Sequence, residues 1–311
     1  MTPHFDQPVP RNGYLWWYLD ALSEDGRHGL TLIAFVGSVF SPYYASARRR
    51  APTDPENHCA VNIAVYGPGG RWAMTERGRH DLGRTRERYA LGRSVLDWTG
   101  AALDIRVDEI AFPLLRRLRG HIRLHPKSLN TQAFDLDATG RHRWQPIAPV
   151  SHVEVDLSHP RLRWSGHAYL DSNAGDEPLE RAFRSWDWSR AVLEDGRSVV
   201  LYDARRRDGS GTHLALQFDA RGRVEPMVAP ERVALPATGW RLARETRADQ
   251  PGRVSVVRTL EDTPFYARSL LSTSLAGQRA VAVHESLSLD RFETTAVQWM
   301  LPFRMPRHAR R

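Results

Sequence analysis

The chain has 311 residues, 41% hydrophobic, 26% charged and 9% aromatic, a soluble globular composition long enough for two domains with a core each. Its formal net charge is +8, carried almost wholly by arginine, Lys127 being the sole lysine. The arginine runs near 48–50, 116–119, 205–207 and 304–311 lie apart and form no basic stripe around a recognition motif, which excludes nucleic acid as an expected partner. Cys59 stands alone, so neither an intrachain disulfide framework nor a cysteine metal site is available, and a reducing cytoplasm is the expected compartment. Residues 1–10 carry proline and acid where a signal peptide needs a basic start, and the longest apolar stretch, 30–40, is too short to span a bilayer.

In chain order, residues 16–23 lead into the turn Glu24-Asp25-Gly26-Arg27 and out along 28–38. Asp-Gly between such runs predicts a hairpin, because glycine takes the positive φ that the turn demands. The aromatic stretch 35–44 reads either as inner-strand packing or as a surface for lipid. Gly67-Pro68-Gly69-Gly70 lacks the spacing and lysine of a phosphate loop. His121 and His125 would pair on a helix but stand roughly 13 Å apart along a strand, so no metal site is expected. No serine sits in a nucleophile elbow.

Residues 142–188 crowd together His142, Trp144, Tyr169, Asp171, Asn173, Asp176, Glu177, Trp186 and Trp188. Residues two apart share a strand face, so His142 goes with Trp144 and Tyr169 with Asp171. If both faces point into one barrel, a carboxyl group lies among aromatic rings. On spacing alone a turn in which Asp171, Asn173 and Asp176 cap backbone amides is the favoured reading. Further on, 186–193 turns at Glu194-Asp195-Gly196-Arg197 into 198–204, and 213–218 turns at 219–223. Helical periodicity is confined to a turn or two around 180–183, so the chain reads as nearly all β.

The two Glu-Asp-Gly-Arg hairpins repeat at an offset of 186 − 16 = 170, which lays Trp16 on Trp186, Tyr18 on Trp188, Ala21 on Ala191 and Leu22 on Val192. A duplicated β unit is implied. The expectation is all-β, two tandem antiparallel β-barrel domains at 1–165 and 166–311, since barrels remove edge strands and can enclose one apolar ligand.

Five segments carry a resemblance: 14–22 (Tyr-Leu-Trp-Trp-Tyr-Leu-Asp-Ala-Leu), 38–44 (Ser-Val-Phe-Ser-Pro-Tyr-Tyr), 168–180, 259–269 and 300–307 (Met-Leu-Pro-Phe-Arg-Met-Pro-Arg). They resemble the carotenoid 1,2-hydratases, or hydroxyneurosporene synthases, of purple photosynthetic bacteria. The resemblance implies two lipocalin-like domains and a lyase that hydrates the terminal double bond of an acyclic carotenoid such as neurosporene or lycopene, with no cofactor. It also implies that His142, Trp144, Tyr169 and Asp171 belong to the active site.

The chemistry can be built independently. Water adds to an isolated trisubstituted alkene only after a proton reaches the less substituted carbon and leaves a tertiary cation. A buried aspartate suits the acid, because an apolar setting disfavours its charged form. Asp171 is the expected donor. Trp144 and Tyr169, with Trp186 or Trp188 against the substrate, offer ring faces to the cation, and Trp144→Phe should cost little because a face remains. His142 would place the water and take its proton, or restore the proton on Asp171. Glu261 and Asp262 are rival acids, or a strand-end turn before Pro264. The partners are then an acyclic carotenoid, water and, peripherally, membrane lipid. A carotenoid carrier or a terpenoid cyclase or isomerase on the same fold are the alternatives, separable by product mass.

Overall fold

In residues 14–23, Leu15, Trp17, Leu19 and Ala21 alternate with Tyr14, Trp16, Tyr18 and Asp20, and all eight are buried. In the computed structural model, which describes residues 3–308, this segment is a central strand covered on both faces. The first unit runs up to Pro178 and includes the segment from Trp299; the second is Leu179–Gln298. The boundary expected at 165/166 falls inside a strand that is paired on both sides, so the division comes at Pro178/Leu179 instead.

The first unit holds β1 (Tyr14–Ser23), β2 (Gly29–Val36), α1 (Pro42–Arg50), β3 (Cys59–Tyr66), β4 (Arg71–Arg77), β5 (Leu82–Arg84), β6 (Arg88–Leu91), β7 (Ser94–Trp98), β8 (Leu103–Ala111), β9 (Arg116–Pro126), β10 (Phe134–Asp135), β11 (His142–His159) and β12 (Arg161–Gly175). These twelve strands make one antiparallel sheet in the order β4-β3-β2-β1-β12-β11-β9-β8-β7-β6-β5, with β10 on β11. The sheet curls into a nearly closed barrel. At the seam, Arg77 of β4 donates to both carboxylate oxygens of Glu109 on β8, at 3.2 and 2.8 Å, and Ser94 Oγ donates at 2.7 Å. The apolar interior contains Leu15, Trp17, Leu19, Leu32, Ile63 and Leu170.

The second unit holds α2 (Leu179–Ala182), β13 (Phe183–Val192), β14 (Ser198–Arg206), β15 (Gly211–Phe218), β16 (Val224–Pro226), β17 (Glu231–Leu235), β18 (Arg244–Ala248), β19 (Ser255–Asp262), β20 (Tyr266–Leu275), β21 (Gln278–Ser288), α3 (Leu289–Phe292) and the start of α4 (Thr295–Met300). Its main sheet runs β16-β15-β14-β13-β21-β20-β19, the neighbour order of β4-β3-β2-β1-β12-β11-β9 repeated. The β17–β18 ribbon packs on it, with Ser189 Oγ and Thr246 Oγ1 3.2 Å apart and Arg244 donating to Ser269 Oγ at 2.8 Å. Both units are therefore antiparallel, lipocalin-like β barrels, and both Asp-Gly hairpins form as expected.

One local expectation fails. The aromatic stretch 35–44 is neither one strand nor a free surface. β2 stops at Val36, Gly37 takes φ 70°, and Ser41 then caps α1 by accepting from the amides of Tyr43 and Tyr44, with Pro42 opening the helix. Serine followed by proline is a helix-start signal that β-like composition concealed. Phe35, Val36, Val39 and Tyr44 are buried, so this stretch cannot dock on lipid.

Candidate active site

Antiparallel register decides which side chains share a face. β12 lies between β1 and β11, with Asp171 opposite Tyr18, Tyr169 opposite Asp20, and Asn173 between Trp16 and Trp144. His142 lies across from Gly175, which also faces Tyr14. Period-two alternation then puts Tyr14, Trp16, Tyr18, Asp20, His142, Trp144, Tyr169, Asp171 and Asn173 on one face. It is the face turned away from the Leu15–Trp17–Leu19 core, so the group does not point into the barrel's apolar interior as expected, although it is buried. Asp171 and Asn173 sit within β12, not in a capping turn.

Asp171 is 3% exposed, and two neutral donors converge on one of its oxygens. Trp144 Nε1–H and Tyr169 O–H each donate to Oδ2, both at 2.8 Å. Burial above all, with the hydrogen bond to Asp171 beside it, holds the Tyr169 phenol well above its ordinary range, so its proton stays in place as a donor. The aromatic wall continues with Tyr18 edge-on to Tyr169 (6.4 Å between centroids), Phe134 beside Trp144 (5.5 Å) and Phe35 beside Trp16 (5.9 Å).

His142 forms the next part of the face. Its Nδ1 lies 2.8 Å from Tyr14 Oη, and its Nε2 lies 3.7 Å from Glu177 Oε1. Burial pushes the imidazole below its ordinary range, against the pull of Asp137, Glu177 and Asp176. It is therefore a neutral ring near pH 7. A Cβ on Gly175 would stand 2.2 Å from the Tyr14 ring, so only glycine lets that ring lie across β12 beside His142. Sequence reasoning passes over Tyr14; its place in the alternating series Tyr14, Trp16, Tyr18, Asp20 is the signal that points to it.

The remaining candidates fall elsewhere. Trp186 and Trp188 lie in the second unit on β13, buried, with Trp186 packed against Phe183 and Tyr202. Asp262, at the end of β19, accepts the Trp240 amide at 3.2 Å, and Thr263 Oγ1 bonds to the Tyr266 backbone, so the Glu261–Asp262 pair sits at a strand-end turn. Register gives Asp171 a counterpart in the second unit: as Tyr18 faces Asp171, Trp188 faces Glu285. There Arg268 holds the carboxylate in a buried ion pair, which fixes a charge where the first unit has two neutral donors.

A groove of about 860 Å³ opens on β7–β9, β11 and β12, lined by Asp97, Arg106, Arg123 and Asp156 among others, a charged surface unsuited to a hydrocarbon. Among the described residues, no three His, Cys, Asp or Glu side chains are grouped to hold a metal ion, and no helix is long and apolar enough to cross a membrane.

Comparison with known proteins identifies the family. The family described as carotenoid hydratase CrtC matches residues 32–311. The acyclic carotenoid 1,2-hydratase of Thiocapsa roseopersicina is 59% identical over 307 residues, 98% of this chain and 76% of that one. That of Rubrivivax gelatinosus is 53% identical over 311 residues, 99% and 77% of the two chains. Among solved structures, a putative AttH protein from Nitrosomonas europaea shares the fold at a TM-score of 0.60 and 15% identity, covering 93% of this chain and 96% of that one. A family match over most of the chain, joined to close relatives along nearly all of it, settles the assignment: the chain belongs to the carotenoid hydratase family CrtC.

Proposed function

We propose that this chain is an acyclic carotenoid 1,2-hydratase in which Asp171 protonates the terminal double bond. The observation that carries the reading is the convergence of Trp144 Nε1–H and Tyr169 O–H on Oδ2 of a buried carboxyl group. With Oδ2 occupied as an acceptor, the acidic proton belongs on Oδ1. Delivery to C2 of the alkene breaks the Oδ1–H bond, forms a C–H bond and leaves a tertiary cation at C1. Asp171 becomes a carboxylate in a dry site as this happens, and the two donors stabilise it by about 1.5–3 kcal/mol each, interactions that strengthen toward the transition state. Faces of Trp144 and Tyr169 stabilise the cation by about 0.5–2 kcal/mol each.

Water then attacks C1, and the proton it sheds passes to neutral His142 and on toward Glu177, whose side chain is 28% exposed. Glu177 passes that proton to solvent, and Asp171 takes one back from solvent before the next turnover, so the enzyme is restored and the sum is one water added. Hydration is redox-neutral and a proton suffices as electrophile, so the reaction needs no cofactor. Trp186 and Trp188, buried on β13, take no part in these proton transfers. Peripheral contact with membrane lipid completes the reading, since the substrate partitions there.

Incubation with lycopene or neurosporene and mass analysis of the product tests the function. Gain of one water supports it; unchanged mass with a new chromophore would indicate cyclisation, and unaltered substrate a carrier. The relay makes a separate prediction. Because burial holds His142 low while Glu177 pulls it up, Glu177→Gln should move the acidic limb of the rate profile to lower pH. A limb that moves up, or stays in place, would remove Glu177 from the relay.

A further inference from the structure

We propose that the tip of the β8–β9 hairpin is the element that inserts into an anionic lipid surface. Its purpose rests on the carotenoid reading; its geometry stands apart from it. Leu114 and Leu115 at this tip are 69% and 65% exposed, and Ile110 just below is 45% exposed. Leu115 also takes φ 50°, a left-handed conformation that favours glycine or asparagine in a turn. A bulky apolar side chain is thus kept in water at a position where turn geometry and solvation both disfavour it, which points to a role for the side chain itself.

Charge surrounds the leucines. Arg116 and Arg119 follow them, both exposed. Arg117 is engaged by Asp108 at 2.8 and 2.7 Å. Register places the β11–β12 turn at the same end of the barrel, because His159 lies opposite Arg119 and Ser158 opposite Arg161. The β3–β4 turn reaches that end too: a Cβ on Gly69 would lie 3.7 Å from Pro160, and Arg71 donates to the Arg117 carbonyl. The nearby acids are Asp108, held by Arg117, Glu109, buried against Arg77, and Asp156, held by Arg163 at 3.2 Å. Two apolar side chains ringed by arginine suit insertion to the acyl boundary with guanidinium groups among phosphates.

Two other surfaces fit less well. The stretch 35–44 is buried. Trp299 and Phe303 are 75% and 77% exposed, but the arginines beside them are turned inward, Arg304 over the Trp72 ring and Arg307 onto Glu76. The last residues of the basic tail, 309–311, lie outside the described residues.

Sedimentation of the full chain with vesicles of phosphatidylcholine, with and without phosphatidylglycerol, tests the assignment. The double variant Leu114→Ser with Leu115→Asn, whose asparagine suits the left-handed position, should lose about tenfold or more in affinity for both vesicles. Arg116→Gln with Arg119→Gln should lose about fivefold per arginine on the anionic vesicles alone and flatten the salt dependence. Trp299→Ser with Phe303→Ser should bind like the unaltered chain. Hydration of detergent-dispersed carotenoid should be unchanged in the leucine variant, so failure of hydration in the unaltered chain would count against the functional reading and not against docking. Vesicle binding that survives the leucine changes, or that is lost instead with Trp299 and Phe303, would overturn the proposal.

Discussion

Asp171→Asn is expected to leave carotenoid binding intact and to cut hydration by about 10²–10⁴-fold or more, because the amide keeps size and polarity but has no acidic proton to give. The geometry around Oδ2 raises the expected cost at its two donors. Counted only as a ring face, the indole makes Trp144→Phe cheap; its N–H also donates to Asp171, so the substitution removes a hydrogen bond to a forming carboxylate. Trp144→Phe and Tyr169→Phe should each cost about 10–10²-fold, the scale of one such bond to a charged group. Turnover rates with dispersed lycopene give the ranking. If Asp171→Asn stays active while Asp262→Asn or Glu261→Gln does not, the acid lies in the second unit.

The second large effect concerns stability. Inside the second unit, His284 Nδ1 lies 2.8 Å from Ser189 Oγ, and its Nε2 lies 3.1 Å from Ser286 Oγ, which in turn donates to Asp187. Burial pushes Asp187 up to about 7 and His284 down to about 3. An aspartate raised in this way favours the folded state in acid and loses that contribution as pH rises toward 7. A histidine lowered in this way costs stability as pH falls below its ordinary value near 6.5. Between about pH 4 and 6.5 the folded pair holds one proton, on Asp187, and the unfolded pair also holds one, on the histidine, so the slopes cancel. Asp187→Asn removes the cancellation. Its stability should then drop by about 2 kcal/mol from pH 6.5 to 5, relative to the unaltered chain, while His284→Asn should shift in the opposite direction. Urea denaturation at the two pH values reads both, and parallel pH slopes in all three proteins would refute the assignment.

Much of the fold was legible because its signals are local. Asp25-Gly26 and Asp195-Gly196 mark their turns by chemistry, and alternation marks the strands beside them. The choice of face was not legible, since Trp17 and Tyr18 are both buried aromatics and periodicity cannot say which of two buried faces is the core. The counterpart of Asp171 was hidden for another reason. The hairpins repeat at 170, but Asp171 and Glu285 are 285 − 171 = 114 apart, because the first unit has additional strands between β4 and β9. Only backbone pairing reveals that equivalence. A spacing of two places His142 and Trp144 together, whereas their partners Tyr14 and Asp171 come from distant strands and require the register.

Proton transfer from Asp171 to a terminal alkene carbon should precede capture of water. The most direct measurement is conversion of lycopene or neurosporene in deuterated water, with the product returned to ordinary water and its mass and deuterium position determined. The mechanism predicts one added water and one carbon-bound deuterium at C2 for each hydrated end, with neither in Asp171→Asn. A hydrated product without deuterium at C2, or equal incorporation in Asp171→Asn, would contradict it.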